Sequence, residues 1–493
     1  MGTASLSGQV VSGAVAKDSL QVADSLYTVA KGLSEATDAI RLFSIAATTY
    51  QNRKEASKWV NCHRRISEKL SQTENTGVAA RHLKQILEAA WWPPDLNTAK
   101  IYHSLAYGYD QAGNYLEAVR AYEVALDLYD RHGGLKAGMA GSLLKPLANI
   151  YTRTGEYEKA LFLLNRTLSL AQDNDETLAE THNDIGIIFR DRQEYTEAIR
   201  QFETGLALPH LSNQTRALLS AGIAEVYLQS GQTALAYHAI GRALGLTDRS
   251  VYPPYRIGFI QIKAEVAMRQ GSLAMADSLF EKALEEAEAY YGTRKRREVA
   301  KILVSKGRLY QAGGRYEEAA RSFQEALICI LPAYKPASIW VDPGLGDFYP
   351  EFTLLEALTG KAEACFQDAK QKGDADLMTQ SLNSFKMAVD MEAYLRRNYD
   401  LASSKETLIA IHQKLRELPV SAAWEVYSKT GAYEALEKAF WFSEKSKGVL
   451  LLDALQSNRL IRYAGIPDSV REKEQLLRTE LNMLETRRYQ DLL

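Results

Sequence analysis

Lys145 and Asn149 stand four residues apart and Asn183 and Arg190 seven, spacings that put each pair on one face of a helix. Arg153 extends the first face by four more. Three cations and two amides form a donor set that holds carboxylates through charge-assisted hydrogen bonds. Continued by Glu225, Gln261 and Arg308, this set is the candidate surface for a protein or peptide partner, read as an acidic segment or the C-terminus of a peptide.

Catalytic chemistry finds no comparable set. The chain has no phosphate-cradling Gly-x-x-x-x-Gly-Lys-Ser/Thr, no His-Glu-x-x-His and no Gly-x-Gly-x-x-Gly after a strand pattern. Gly344-Leu345-Gly346-Asp347 lies in a proline-rich stretch without strand–helix context, and His132-Gly133 closes a helical pattern with no strand around it. Cys62, Cys329 and Cys365 are scattered and form no Cys-x-x-Cys, so neither a disulfide framework nor a metal site is expected. No cofactor is expected, and the chain is read as not an enzyme.

The elements that position the candidate surface repeat along the chain. A Gly-x-Tyr-x-x-Ala motif stands at Gly113-Asn114-Tyr115 with Ala118 and at Gly155-Glu156-Tyr157 with Ala160. It recurs as Gln193-Glu194-Tyr195 with Ala198, Gly231 with Ala236, Gly271 with Ala276, and Gly314-Arg315-Tyr316 with Ala319, at intervals of 38 to 43 residues. Before each motif a large, a small and an aromatic residue recur at helical spacing, as in Leu105, Ala106, Tyr109 and Leu147, Ala148, Tyr151; the fifth copy weakens to Lys263, Ala264, Ala267. After it runs a second helix such as Ala118, Tyr122, Ala125 or Ala319, Phe323, Ala326. Small residues let two antiparallel helices approach to about 8–10 Å, aromatics fill the space between pairs, and the glycine supplies a left-handed turn without steric cost. A lone pair cannot bury its apolar faces, so the pairs must stack.

Six copies in register resemble the tetratricopeptide-repeat (TPR) family, with longer helices than the family's usual repeat. The resemblance covers 97–331 and implies an all-α fold, a right-handed solenoid of stacked antiparallel helix pairs. In such a stack the first helix of each pair lines an inner groove, which places the candidate partner-binding residues Lys145, Asn149, Arg153, Asn183, Arg190, Glu225, Gln261 and Arg308 there. Lys145 and Asn149 match two elements of the carboxylate clamp of some family members; Leu218 and Gly222 stand where its remaining cations would be.

Helical spacing also runs through 20–96 as degenerate repeats, after a polar, small-residue stretch 1–19 expected to be flexible. A Pro/Gly-rich aromatic loop at 332–352 separates the six repeats from further degenerate helices at 353–457 and a connector helix at 458–493. Ala439-Phe440-Trp441-Phe442-Ser443-Glu444-Lys445-Ser446-Lys447, followed by Leu450-Leu451-Leu452-Asp453-Ala454-Leu455, resembles the segment that precedes CHAT domains, caspase-like modules found behind TPR arrays in bacterial proteins. That resemblance, over 353–493, implies the sensor or adaptor half of a CHAT-type protein. The CHAT module's His-Gly and Cys in a strand-rich domain are not in this sequence, and in a full-length protein that domain would be a partner in cis.

The balance of charge, −2 over 493 residues, argues against a nucleic-acid partner. Arg294-Lys295-Arg296-Arg297 is the one basic cluster and reads as a solvated helix start. No apolar run is long enough for a membrane span. The first residues lack a charged and an apolar leader region, which favours the cytoplasm; Ala14-Val15-Ala16 has the form of a cleavage site and leaves export after leader removal open. The expected function is a protein-interaction scaffold. A purely structural or oligomerisation module and an unrecognised enzyme are the other readings.

Overall fold

A computed structural model of the protein describes residues 19–447 apart from 74–75, 113, 248–251, 332, 345, 347–350 and 400–401, together with 473 and 476. The expectations for 1–18, for the glycine at 113 and, but for those last two residues, for the connector at 458–493 lie outside this range. All regular elements among the described residues are helical, and the protein divides into two compact units, up to Ile150 and from Tyr151.

The first unit holds α1 (Ser19–Gly32), α2 (Ala36–Asn52), α3 (Ala56–Thr73), α4 (Thr76–Glu88), α5 (Leu96–Gln111) and α6 (Tyr115–Arg131), each packed on the next. Asp95 starts α5 by accepting from the amides of Asn97 and Thr98 at 2.7 and 3.2 Å. His132 ends α6, and Gly133 turns left-handed behind it at φ 61°. The Trp91-Trp92 break folds back onto α3, where Trp91 meets Trp59 edge to face at 4.9 Å. Beside it, His63 Nδ1 and His82 Nε2 lie 3.1 Å apart and join α3 to α4.

After a 3-10 turn and a π-helical turn, α7 (Lys145–Thr154) leads into the second unit. There α8 (Tyr157–Leu170), α9 (Asp175–Asp191), α10 (Tyr195–Leu206), α11 (Asn213–Gln229), α12 (Thr233–Gly245), α13 (Pro253–Arg269), α14 (Leu273–Tyr291), α15 (Arg297–Ala312) and α16 (Tyr316–Ile330) follow. Then come α17 (Phe352–Lys372), α18 (Ala375–Arg397), the short α19 (Ala402–Ile411), α20 (Lys414–Thr430) and α21 (Tyr433–Ser446). Consecutive helices pair from α9–α10 through α15–α16, and again as α17–α18 and α20–α21. The fold is an all-α solenoid of stacked antiparallel helix pairs.

Two devices set the spacing of the pairs. Gly155, Gly231, Gly271 and Gly314 take φ between 71° and 83° at the turn inside each pair, and Gln193 takes the same conformation at φ 63° with a side chain attached. The second device is a ring held between two glycines. The buried ring of Phe202 on α10 lies against Gly186 of its own first helix and Gly222 of the next. A Cβ on either glycine would come within 2.7 and 2.5 Å of that ring. Phe323 on α16 sits in the same way between Gly307 and Gly360.

The proline-rich loop before α17 is pinned from beneath. Lys361, fully buried on α17, donates to the Val341 carbonyl and to Asp342, each at 2.8 Å, and Asp342 also accepts from Ser384 at 2.8 Å. The basic cluster stands at the start of α15 with Arg294, Lys295 and Arg296 exposed, as read from sequence. Arg297 holds the buried Glu351 at 2.9 Å, Arg294 pairs with Glu288, and Arg296 lies 5.2 Å above the Tyr291 ring.

Candidate partner-binding groove

In the second unit the first helices of successive pairs are α9, α11, α13, α15 and α17. Among their part-open positions a strip runs through Ile187 and Arg190, Glu225, Gln261 and Glu265, Lys301 and Arg308, and Phe352 and Glu356, all half-buried except the exposed Lys301 and Arg308. Side chains on this strip link α9 to α11, α13 to α15 and α15 to α17. Arg190 reaches from the last turn of α9 to Glu225 on α11 and also binds Asp191 at 2.7 Å. Between α13 and α15, Gln261 donates to Glu265 and to Ser305, each at 3.1 Å, while the Ser305 hydroxyl donates to Glu265 at 2.6 Å. Arg308 on α15 holds Glu356 on α17 at 2.6 Å.

The electrostatics follow from these links. Burial works against the charge on Arg190, but Asp191 and Glu225 outweigh it and hold the guanidinium charged more firmly than usual. Burial would likewise raise the Glu356 carboxyl, yet Arg308 prevails and keeps it below the ordinary carboxylate range. The strip is therefore balanced in sign. Arg190, one of the three cations from which an acidic partner was inferred, and Arg308 already hold acids of this chain.

Of the residues expected in the groove, Arg190, Glu225, Gln261 and Arg308 stand on this strip. Asn183 is buried on α9, with its amide 3.4 Å from Asp184. Lys145, buried, and Asn149, half-buried, belong to the first unit, whereas half-buried Arg153 belongs to the second. The five residues Lys145, Asn149, Arg153, Asn183 and Arg190 are thus not one site within either unit. Leu218 and Gly222 fill the places of the missing clamp cations for a packing reason, since Gly222 makes room for Phe202.

Sequence reasoning missed Ser305 and Glu356. Ser305 lies beside the register position, and Glu356 sits in a helix whose repeat motif is too eroded to align. It also missed a self-contact of the second unit. Phe352 and the Tyr399 hydroxyl both abut Gly155, where a Cβ would come within 2.6 Å of each. His412, beyond α19, lies 5.7 Å from the Phe352 ring.

Among the described residues no group of three or more His, Cys, Asp or Glu could hold a metal, and no helix is long and apolar enough to cross a membrane. The three cysteines are buried and unpaired by disulfides, and burial pushes the Cys62 thiol up to about 12 and Cys329 up to about 11.

A family model described as tetratricopeptide repeat matches residues 139–209 and 260–327. Tetratricopeptide repeats are recognised in those two stretches. Among solved structures it is similar to the apo form of the quorum sensor NprR from B. thuringiensis, at 13% identity over 76% of this chain and 97% of that one, with a TM-score of 0.49. It is similar to the apo form of RapI at 14% identity, over 77% of this chain and 99% of that one, with a TM-score of 0.48. A tetratricopeptide repeat protein from Parabacteroides merdae gives 20% identity over 61% and 98%, with a TM-score of 0.41. No curated protein matches the sequence.

Proposed function

We propose that this protein is a protein-interaction scaffold and that the open strip along α9, α11, α13, α15 and α17 is where a partner segment docks. The observation that carries this reading is the series of part-exposed hydrogen-bonding side chains, one set per first helix, joined across α9–α11, α13–α15 and α15–α17. A segment lying across them meets a donor or acceptor at every pair. Because Arg190–Glu225 and Arg308–Glu356 are already joined, the partner is favoured when it brings both signs of charge and exchanges ion pairs. A purely acidic segment would have to separate them, which leaves a partly buried acid without its cation.

The test uses peptides selected from a random display library on the 493-residue chain. Replacing Gln261 and Arg308 together by Ala should weaken a selected peptide by about tenfold or more. Replacing the exposed Lys282 and Glu285 on α14 should leave it unchanged. Equal sensitivity to both pairs would count against the groove.

For the far end of the second unit we propose a cis partner, the CHAT-type domain that the 439–455 segment resembles. What supports it is surface chemistry. Trp424 on α20, and Tyr433 and Phe440 on α21, are 56%, 69% and 68% exposed, more open aromatic surface than a finished helix pair needs. Residues 448–455 of that segment lie outside the described range. A protein extended by such a domain should lose the accessibility of Trp424 to fluorescence quenchers; unchanged quenching would contradict a domain seated there.

A further inference from the structure

The second unit holds a piece of its own sequence in a place suited to a partner. Beyond α18 the backbone passes through Tyr399, forms α19 and reaches His412. α19 lies against α8 and α18. Its two ends meet the turn before α8 and the last helix of the strip: Tyr399 lies against Gly155, and His412 against Phe352, one helical turn from Glu356. The turn and the segment that meet there are more than two hundred residues apart in sequence.

The seat is well made, and Arg416 of α20 reaches across to the occupant, donating to the Ile409 carbonyl at 2.8 Å. Gly155 offers a left-handed turn with no side chain, and both the Tyr399 hydroxyl and the Phe352 ring fill the space a Cβ would need. Tyr399 is 3% exposed, and its hydroxyl is buried with no hydrogen-bond partner. A buried hydroxyl without a partner is under-satisfied, so the pocket accepts the ring and wastes its polar end. α19 has only ten residues, too few to be stable alone. Among residues 405–411 only Leu408 is fully buried, while Glu406 and Ala410 are exposed. Burial that sparse over the described side chains, 405–411, is typical of the least stable end of a structure.

We propose that Tyr399–His412 is a displaceable internal occupant of the second unit, and that a partner binds by putting a segment of the same chemistry in its place. That segment is a short amphipathic helix led by an aromatic residue, with an aliphatic residue at the Leu408 position. The proposal rests on the reading of the protein as an interaction scaffold. It deepens that reading by naming the partner's form and the contact that guards the site. His412 is faced by Phe352 and Glu356 of α17, Glu392 of α18 and Arg416 of α20, so a departing segment also uncovers a charged rim.

The experiment uses the whole 493-residue chain and needs no outside partner. Amide exchange is followed in Y399A/L408A and in Y399F, and the probe is a fluorescent synthetic peptide of residues 397–413. In Y399A/L408A the amides of α19 should exchange at least about tenfold faster while those of α11–α16 keep their rates. The probe should bind that variant at least about tenfold more tightly than it binds the parent, whose own segment competes for the seat. Y399F keeps the ring and removes the unsatisfied hydroxyl, so α19 should exchange no faster than in the parent. Unchanged α19 exchange in Y399A/L408A, probe binding that is equal in both proteins or absent from both, or faster exchange in Y399F would each overturn the proposal. A library peptide insensitive to Gln261 and Arg308 would count against the groove alone and leave these three readouts standing.

Discussion

Gly222→Ala is the sharpest test of how the pairs stack. In a helix interior, Gly to Ala is ordinarily a gain of up to about 1 kcal/mol. At Gly222 the added Cβ would meet three ring carbons of Phe202 at 2.5, 2.6 and 3.0 Å. Carbon contacts settle near about 3.5–4.0 Å, so the ring must move by roughly 1 Å. Its other side is taken by the backbone at Gly186, so close that a Cβ there would come within 2.7 Å of the ring. Overpacking of this kind costs about 1–3 kcal/mol, which leaves a net loss of up to roughly 2 kcal/mol. Gly241 on α12 has open space where its Cβ would be, so Gly241→Ala should show the gain without the loss. Shrinking the ring with Phe202→Leu should relieve the clash, and the double variant should exceed the sum of the singles by about 1 kcal/mol or more. Repeat arrays need not unfold in one step, so amide exchange in α10 and α11 is the suitable readout, with urea melts beside it. If Gly222→Ala stabilises as Gly241→Ala does, or if the double variant is simply additive, the ring does not set the spacing.

Gln193 occupies a left-handed turn that its neighbours give to glycine, so Gln193→Gly should stabilise the α9–α10 pair by about 0.5–1 kcal/mol in a thermal melt, where a loss would contradict the strain. Lys361→Met removes the cation beneath the proline-rich loop and leaves Asp342 with Ser384 alone; about 3–5 kcal/mol should be lost, and protease should cut 333–346 first. In the first unit, burial and the neighbouring His82 push His63 down to about 3, and burial lowers His82 as well. Both folded values lie below the unfolded 6.5, so the unfolded state takes protons first as pH falls. Stability is then full above about pH 7 and falls by about 2 kcal/mol for each histidine still neutral at pH 5. Amide exchange in α3 and α4 at pH 7 and 5, after correction for intrinsic rates, checks this, and a His63→Leu/His82→Leu variant should lose the dependence.

What could be read from sequence was whatever local spacing determines. The small–aromatic rhythm and the glycine turns recur because every pair solves the same packing problem, so Gly155, Gly231, Gly271 and Gly314 announce themselves and even Gln193 keeps its place in the register. The first-helix strip carrying Arg190, Glu225, Gln261 and Arg308 followed from that register. Its charge balance did not. Whether Arg190 is available depends on Glu225 one repeat away, and Arg308 on Glu356 in a helix without a legible motif. The contact of Tyr399 with Gly155 was further out of reach, since it arises only when many small rotations between pairs accumulate. The buried Lys361 was hidden for another reason, as a lysine in a degenerate helix looks solvated until the loop above it is placed.

The central claim is that the open strip of the second unit receives a partner segment, and photo-crosslinking tests it at the residue. Benzoylphenylalanine placed singly at Gln261 or Arg308 should capture a library-selected peptide in proportion to its occupancy, and the same group at exposed Lys282 on α14 should capture none. Capture at Lys282 with none at Gln261 or Arg308 would contradict the account.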